Sequence, residues 1–200
     1  MLRYASLTLL AVPALVAAAP AQDLAQVQQH LKAVGSMTAN FTQTSGAQTL
    51  TGTLQLKRPG KVRFEYARGT NMLLVSDGKA LTFIDYDVKQ KQRWPIGDNP
   101  LSILLNPNQD ITRFAKVVPG TPGGAVLVEA RDPKRPEYGT ITMAFARMPS
   151  APAGLMLQGW SVVDAQGKRT TIKLANQRFN VPIAESAFRF RDPTARGPRG

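Results

Sequence analysis

The chain has 200 residues, a formal net charge of +12, a single histidine and no cysteine. Its length suits one domain with a hydrophobic core of its own. The missing cysteine excludes disulfides, thiol nucleophiles and thiolate metal sites, and one histidine is too few for an ordinary zinc site. The positive charge indicates a polyanionic partner: nucleic acid, anionic lipid head groups or acidic faces of other proteins.

Residues 1–21 have the three-part composition of a cleavable secretory signal peptide. Arg3 precedes an apolar run from Leu7 to Ala19, which is short for a membrane span, and Ala19-Pro20-Ala21 supplies the small residues that cleavage requires. We predict cleavage after Ala21 rather than a buried N-terminal helix, and export argues against a nucleic-acid partner. Cleavage removes Arg3 and no acid, so the mature charge is +11, and without cysteine we expect no lipid anchor.

One amphipathic helix is predicted at the start of the mature chain, in DLAQVQQHLKAVGSM. Its apolar residues recur at spacings of three and four, which places them on one stripe: Leu24, Val27, Leu31 and Val34. Asp23 is predicted to cap its start and Gly35 to end it. His30 is predicted to point to solvent at the edge of the stripe.

After Met37 the apolar period changes to two, which predicts strands. TGTLQLKRPGKVRFEY, residues 51–66, has alternating apolar residues on both sides of Arg58-Pro59-Gly60, and Asp77-Gly78 joins the next two apolar runs. Residues 85–94 predict a further strand. Alternation returns from Arg113 onwards in RFAKVV, GGAVLVEARD, YGTITMAFARM, GLMLQGWSVVD and KRTTIKLANQRFN. The count is about ten strands at hairpin spacing.

A short apolar segment interrupts the strands in DNPLSILLNPNQD. Pro100 and Pro107 bracket a helix of two turns at most. Because its side chains are apolar nearly all round, we expect it to face an apolar surface across a gap. Successive hairpins plus these two helices predict a mainly β fold with helices (α+β), an incomplete antiparallel β-barrel with a helical lid. A β-sandwich is the alternative.

The titratable residues form no recognisable catalytic constellation. His30 lacks a Gly-x-Ser-x-Gly partner motif, and no glycine-rich phosphate loop is present. Asp85 and Asp87 have a spacing that calcium or a carboxylate pair could use, but solvated residues beside a hairpin explain them better. We therefore predict that the protein is not an enzyme and has no metal or other cofactor.

Apolar surface remains as the candidate site. Val62, Phe64, Tyr66, Leu74, Phe83 and Trp160 lie on strands of alternating polarity. A filled core is the simplest explanation of such residues. A curved sheet with only two helices to cover it would, however, leave room for an apolar ligand.

Four pieces of the chain, in order, resemble the LolA family of periplasmic outer-membrane lipoprotein carrier proteins: ANFTQT after the first helix, GTLQLKRPGKVRFEY, LLVSDGKALTFIDYD and NPLSILL. The resemblance implies one carrier domain over residues 22–192, followed by a basic flexible tail, 193–200. It also implies an open barrel whose cavity takes lipoprotein acyl chains. The hairpin residues Leu54 and Leu56 would then join the six residues above in lining that cavity.

The resemblance implies that the short apolar helix and the residues beside it form part of a lid over the cavity: Pro100, Leu101, Leu104 and Leu105. Arg58 would donate to backbone carbonyls of this lid and hold the empty carrier closed, which suits the rigid fork of a guanidinium. The implied partners are an inner-membrane ATP-driven lipoprotein release complex and, where one exists, an outer-membrane acceptor lipoprotein. The carrier would be a periplasmic monomer.

Two other functions fit the same sequence. One is a periplasmic lipid- or lipoprotein-sensing regulatory module on the same fold, although the mature chain leaves little room for a second domain. The other is a basic module with a filled core that binds polyanions or membrane surfaces. Bound lipid in the purified protein would separate the carrier from the second of these.

Overall fold

A computed structural model describes residues 20–96, 102–106, 108, 110–119, 124–132, 134 and 136–194. Three predictions therefore fall at least partly outside the described residues: most of the predicted signal peptide, the predicted lid residues Pro100 and Leu101, and the end of the predicted tail. The helices are α1 (Pro20–Ala33) and α2 (Ser102–Leu105). Short 3₁₀ turns cover Ile111–Arg113, Pro136–Tyr138, Pro152–Gly154 and Glu185–Phe188.

Within the described residues, eleven strands form one antiparallel sheet. They are β1 (Ser36–Ser45), β2 (Gln48–Lys57), β3 (Lys61–Tyr66), β4 (Met72–Asp77), β5 (Ala80–Asp85), β6 (Gln90–Pro95), β7 (Ala115–Val117), β8 (Val126–Ala130), β9 (Thr140–Arg147), β10 (Leu155–Val163) and β11 (Arg169–Phe179). Their order is β6-β5-β4-β3-β2-β1-β11-β10-β9-β8-β7. Strands β6 and β7 are the two edges, so the barrel stays open.

This arrangement confirms the predicted class, an incomplete antiparallel barrel. The number of strands is one above the prediction of about ten. In the part of the chain that the structure describes, the α-helices are the 14-residue α1 and the four-residue α2, which match the two predicted helices, and a lid of several short helices is not seen there. Within the same residues no helix has the length and hydropathy to cross a membrane.

The alternation of the strands determines which side chains reach the main core. Leu54 of β2 lies opposite Phe64 of β3, and Leu56 lies opposite Val62, so all four point to the same, inner face of the sheet. The helices pack on this inner face, and the buried residues of α1 include Val27 and Leu31. Apolar residues from both halves of the chain therefore share one core between the sheet and the helices.

A second, smaller core lies on the outer face of β4 and β5. Leu73, Val75 and Ile84 are buried there against Phe188. Phe188 belongs to the C-terminal segment, residues 181–192, which crosses the outer face of β3 to β6. The end of the chain therefore covers an apolar surface that the strands alone leave open to water.

Two predictions for α1 are wrong. Asp23 lies inside the helix rather than at its cap, and it is only 8% exposed. His30 is 2% exposed, so it does not point to solvent. Both polar residues contact the loop before β10 or the end of β9, and these contacts fix how α1 lies on the sheet.

Candidate functional site

The candidate site is a cavity between the inner face of the sheet and the two helices. Nearly all of its lining is apolar: Leu31, Val34, Met37, Leu54, Leu56, Val62, Phe64, Leu104, Leu105, Leu157 and Trp160. His30 and Arg58 are its only polar lining residues among those described. Its free volume is about 20 Å³, and a single water already requires about 10–15 Å³. The helices and side chains thus fill most of the space.

Phe64 and Trp160 line one wall of the cavity, and further aromatic rings pack behind them in the core. The ring of Phe64 lies 5.2 Å from that of Phe41 and 6.1 Å from that of Trp160, both in edge-to-face geometry. Tyr66 extends this row, since its ring lies 5.2 Å from Phe41. Such edge-to-face contacts stabilise the wall beyond the burial of its area. Phe64, on β3, contacts both Phe41 and Trp160 in this row of four rings.

Arg58 connects the sheet to both helices through backbone carbonyls. Its Nε and Nη2 donate to the Leu104 carbonyl oxygen at 3.2 and 3.0 Å, and its Nη1 donates to the Val34 oxygen at 2.8 Å. Leu104 belongs to α2, and Val34 follows the end of α1. A helix leaves its last four carbonyls without intrahelical partners, and the guanidinium supplies donors to one such carbonyl at each helix.

The turn that carries Arg58 makes a second contact with α2. Gly60 N donates to the Leu105 carbonyl oxygen at 3.0 Å. The Gly60 carbonyl in turn accepts a 2.6 Å hydrogen bond from the buried Ser76 hydroxyl. Gly60 has a φ of +74°, which glycine adopts without strain. The β2–β3 turn therefore holds two successive carbonyls of α2 and is itself held by β4.

Arg58 carries its charge in a partly buried position. Burial lowers the pKa of Arg58 to about 10, so the side chain remains protonated at neutral pH. Among the described residues, no carboxylate forms a salt bridge with it. Its stabilisation comes from carbonyl dipoles, and a hydrogen bond to a charged group is worth about 1.5–3 kcal/mol.

Among the described residues, the helix α1 has several further attachments for which α2 has no counterpart. The His30 Nδ1 donates to the Pro152 oxygen at 2.8 Å, and the Gln26 amide donates to the Ala153 oxygen at 2.9 Å. Arg147 Nη2 donates to the Asp23 carboxylate at 2.5 Å. All three contacts join α1 to the β9–β10 connection or to the end of β9. The structure therefore holds α1 at many points and α2 mainly through the β2–β3 turn.

A sequence profile described as "Outer membrane lipoprotein carrier protein LolA" matches residues 32–191. The chain belongs to the LolA family. Among curated relatives, an outer-membrane lipoprotein carrier protein of Bordetella avium is 32% identical, over 96% of this chain and 93% of its own length. One of the same name from Chromobacterium violaceum is 29% identical, over 95% of this chain and 94% of its own.

The fold of this LolA family member also matches a solved structure of low sequence similarity. An uncharacterised conserved protein from Thermus thermophilus superposes with a TM-score of 0.51 at 14% identity. The match covers 86% of this chain and 93% of the other. At this identity the likeness concerns the fold alone. Family membership rests on the sequence profile and on the curated relatives.

The sequence-predicted residues divide into those on the cavity wall and those beside it. Leu54, Leu56, Val62, Phe64 and Trp160 line the cavity together with Arg58, Leu104 and Leu105. Tyr66 and Leu74 are partly buried against the same core without lining it. Phe83 on β5 lies opposite Leu74 and is half-buried, and it does not line the cavity. Pro100 and Leu101 lie outside the described residues.

Sequence reasoning missed His30, Leu31, Val34, Met37 and Leu157 as lining residues. Leu31 and Val34 were on the predicted stripe of the LolA-like first helix, and Met37 was on the predicted strand. The apolar pattern therefore marks these residues as buried, but it does not separate a cavity wall from ordinary core. His30 gave no such signal, because one polar residue beside a stripe is usually exposed.

The basic residues around the β2–β3 turn also have structural partners. Lys57 Nζ lies 2.7 Å from the Glu185 carboxylate and 3.0 Å from the Ile183 carbonyl oxygen. Lys61 pairs with the same carboxylate. These two hydrogen bonds hold the pKa of Glu185 down at about 2. The crowded charges on this turn of the LolA-like hairpin thus serve two purposes: Arg58 contacts the helices, and the two lysines bind the C-terminal segment.

Proposed function

We propose that this protein is a periplasmic carrier that binds the acyl chains of lipoproteins in the cavity and delivers them to the outer membrane. Family membership and the names of the relatives support this proposal. The observation that carries it is the contact of Arg58 with Leu104 and Val34 across an almost wholly apolar cavity. No covalent step is required, because binding and release suffice for transport.

Loading requires α2 to move. A free volume of about 20 Å³ has no room for an acyl chain. Since α1 is attached to the sheet at several points, the movement that costs least is the displacement of α2 from the β2–β3 turn. This displacement breaks the bonds from Arg58 and Gly60 to α2, while the bond from Arg58 to Val34 can persist.

The competition between lid and cargo sets the affinity. Each acyl methylene that leaves water contributes about 0.8 kcal/mol, so several long chains would bind very tightly to an open cavity. Leu104 and Leu105 cover the same apolar surface in the closed state, and Arg58 adds charge-assisted bonds to that state. Closure therefore lowers the net affinity and lets the carrier release its cargo.

The proposal includes the partners that the family resemblance implies. An inner-membrane ATP-driven release complex would load the carrier, and an outer-membrane acceptor lipoprotein, where one exists, would unload it. The carrier would act as a monomer after signal cleavage at Ala21, with residues 22–192 as its working domain. Acidic faces on both partners would complement its positive charge.

A hand-off assay with Arg58→Leu tests the role of closure. We expect this variant to bind lipoprotein at least as well as the original chain and to deliver it poorly to an acceptor. The matched control is Arg63→Leu, since Arg63 donates to the Ala187 and Arg189 carbonyls on the outer face. Normal delivery by Arg58→Leu would overturn the closure step.

Native mass spectrometry of protein purified from the periplasm of a lipoprotein-producing cell tests the cavity itself. We expect a population heavier by one triacylated lipoprotein, lost in Phe64→Asp. The control is Phe190→Asp, because Phe190 is 39% exposed and does not line the cavity. Purely unloaded protein that also takes up no fluorescent lipid in vitro would refute the carrier and favour a filled core.

A further inference from the structure

The central part of the sheet contains no acidic residue. Five adjacent strands, β2, β1, β11, β10 and β9, have the sequences QTLTGTLQLK, SMTANFTQTS, RTTIKLANQRF, LMLQGWSVV and TITMAFAR. They have basic residues at five positions: Lys57, Arg147, Arg169, Lys173 and Arg178. The acidic residues that the structure describes lie on other strands, in turns, in α1 or near the C-terminus.

Within the described part of the chain, two of these cations are paired with acids from other elements, and three are not. Lys57 binds Glu185, and Arg147 binds Asp23. Arg169 donates only to the Ser161 hydroxyl at 3.3 Å. Within the described part of the chain, Lys173 and Arg178 have no side-chain partner, and all three residues of β11 are exposed.

The register places the three free cations in one row on the outer face. Ile172 and Leu174 of β11 point into the core, so Lys173 between them points outwards, and by the same alternation so does Arg169. Lys173 pairs with Thr42 and Arg178 with Thr38, which alternates with the core residues Met37 and Ala39. Arg169 and Lys173 are four residues apart, a spacing of about 13 Å along the strand. Lys173 and Arg178 are five residues apart, but the register shifts between Thr38 and Asn40, so their partners Thr42 and Thr38 on β1 are again four residues apart.

Around this row the outer face has small hydroxyl and amide side chains. Strand β1 contributes Thr38, Asn40, Thr42 and Thr44, while β2 contributes Thr49, Thr51, Thr53 and Gln55. Ser161 and Thr142 continue the same face on β10 and β9. The C-terminal segment packs on β3 to β6 and leaves this region uncovered.

We propose that this outer face, centred on Arg169, Lys173 and Arg178, binds the head groups of anionic phospholipids. The cations attract phosphate, and the surrounding hydroxyls can donate hydrogen bonds to it. No acid on these strands opposes the attraction. The proposal does not rest on the carrier function, because the cavity lies on the other face of the sheet.

The composition of this face favours a lipid surface over a protein partner. Stable protein interfaces depend on buried aromatic or large aliphatic anchors. Among the described residues the exposed large hydrophobic side chains are Val88, Trp94 and Phe190, and none of them lies on these five strands. A positive face without anchors matches a reversible, electrostatic attachment to a membrane surface.

Vesicle co-sedimentation tests the proposal with a charge-matched pair of triple variants. One is Arg169→Gln/Lys173→Gln/Arg178→Gln. The control is Arg68→Gln/Lys79→Gln/Lys134→Gln, which removes the same charge from exposed positions elsewhere. Each basic residue near an anionic membrane contributes about a fivefold factor in binding, so we expect a loss on the order of a hundredfold in the first variant only.

The vesicles are phosphatidylcholine with and without phosphatidylglycerol, and each measurement is repeated at raised salt. Binding that needs phosphatidylglycerol, weakens with salt and is lost only in the β11 variant supports the proposal. Equal losses in both variants would mean that the net charge of the protein, and not this face, determines vesicle binding. Either that result or unchanged binding in the β11 variant would overturn the proposed site. An acidic protein captured by this face without any vesicle binding would also overturn it.

Repeating the vesicle assay with the Phe64→Asp variant distinguishes uptake of lipid into the cavity from binding of head groups on the outer face. Loss of vesicle binding there would mean that the cavity, and not the outer face, contacts the lipid. Retained binding in Phe64→Asp together with failed lipoprotein loading would support the head-group site. The carrier proposal is tested independently by the native mass spectrometry of the original chain. Thermal unfolding of each variant establishes that the sheet is intact.

Discussion

The guanidinium of Arg58 donates two hydrogen bonds to the Leu104 carbonyl oxygen, one from Nε at 3.2 Å and one from Nη2 at 3.0 Å. The third donor, Nη1, reaches Val34. One side chain on the sheet therefore holds the end of α1 and the four-residue α2 at the same time. A helix of one turn cannot satisfy its own carbonyls, so α2 depends on this external donor.

Arg58→Lys keeps the positive charge and removes the planar fork. An ammonium group cannot reproduce two bonds to Leu104 together with one to Val34 at these positions, so α2 should be held less firmly. We expect faster hydrogen exchange at the amides of residues 104–106 and greater binding of a hydrophobic dye. Arg63→Lys on the outer face is the control, and equal exchange in both variants would contradict the dependence of α2 on the fork.

Gly60→Ala tests the turn that carries Arg58. An alanine Cβ there would lie 2.8 Å from the Gly78 Cα and 2.9 Å from its carbonyl oxygen, besides the strain of φ +74°. Gly46 has a similar φ of +59° with no atom within 4 Å of such a Cβ. Gly46→Ala should therefore cost only the left-handed strain, about 1–2 kcal/mol.

The free energy of unfolding, measured with urea, compares the two glycine variants. We expect Gly60→Ala to lose about 1–3 kcal/mol more than Gly46→Ala, which is the range for overpacking in a tight space. It should also expose α2 to hydrogen exchange, because Gly60 N donates to Leu105. Equal losses in the two variants would mean that the contact with Gly78 relaxes without cost.

Arg147→Gln tests the attachment of α1. The Asp23 side chain is 12% exposed and that of Arg147 is 41% exposed, so loss of the arginine leaves a largely buried carboxylate without its cation. We expect a loss of about 1–2 kcal/mol in urea unfolding, between the values for exposed and for buried pairs. Lys116→Gln breaks the more exposed pair with Glu129 and should change stability little. A larger effect of Lys116→Gln would reverse this ranking.

Much of the fold could be predicted from local patterns. The period of two in residues 51–66 and the Asp77-Gly78 turn determine which residues pair and which side chains face inwards. A register shift of one residue would turn the apolar side chains of a strand towards water. Leu54, Leu56, Val62 and Phe64 were accordingly assigned to one inner face, as observed. The proline-bracketed α2 also followed from local signals.

Contacts between distant parts of the chain could not be predicted in this way. The bond from Arg58 to Val34 spans 24 residues, and that from Asn180 to Ala33 spans 147. The burial of His30 depends on the Pro152 carbonyl, 122 residues away, and on the rings of Phe145 and Phe179. No local pattern around His30 contains this information, so its surroundings became known only from the folded chain.

The burial of His30 predicts how stability depends on pH. Burial lowers the pKa of His30 below its ordinary 6.5, the bond to Pro152 opposes this, and the charge of Arg58 adds to it. Because the unfolded chain binds the proton more tightly, the stability is complete above pH 6.5 and decreases as the pH falls towards the lowered pKa. His30→Asn keeps a donor for Pro152 without a titrating ring. We expect this variant to have a lower free energy of unfolding that changes less with pH between about pH 7 and pH 5. This window lies above the range in which ordinary carboxylates titrate. The same slope in both proteins would assign the acid sensitivity to other groups.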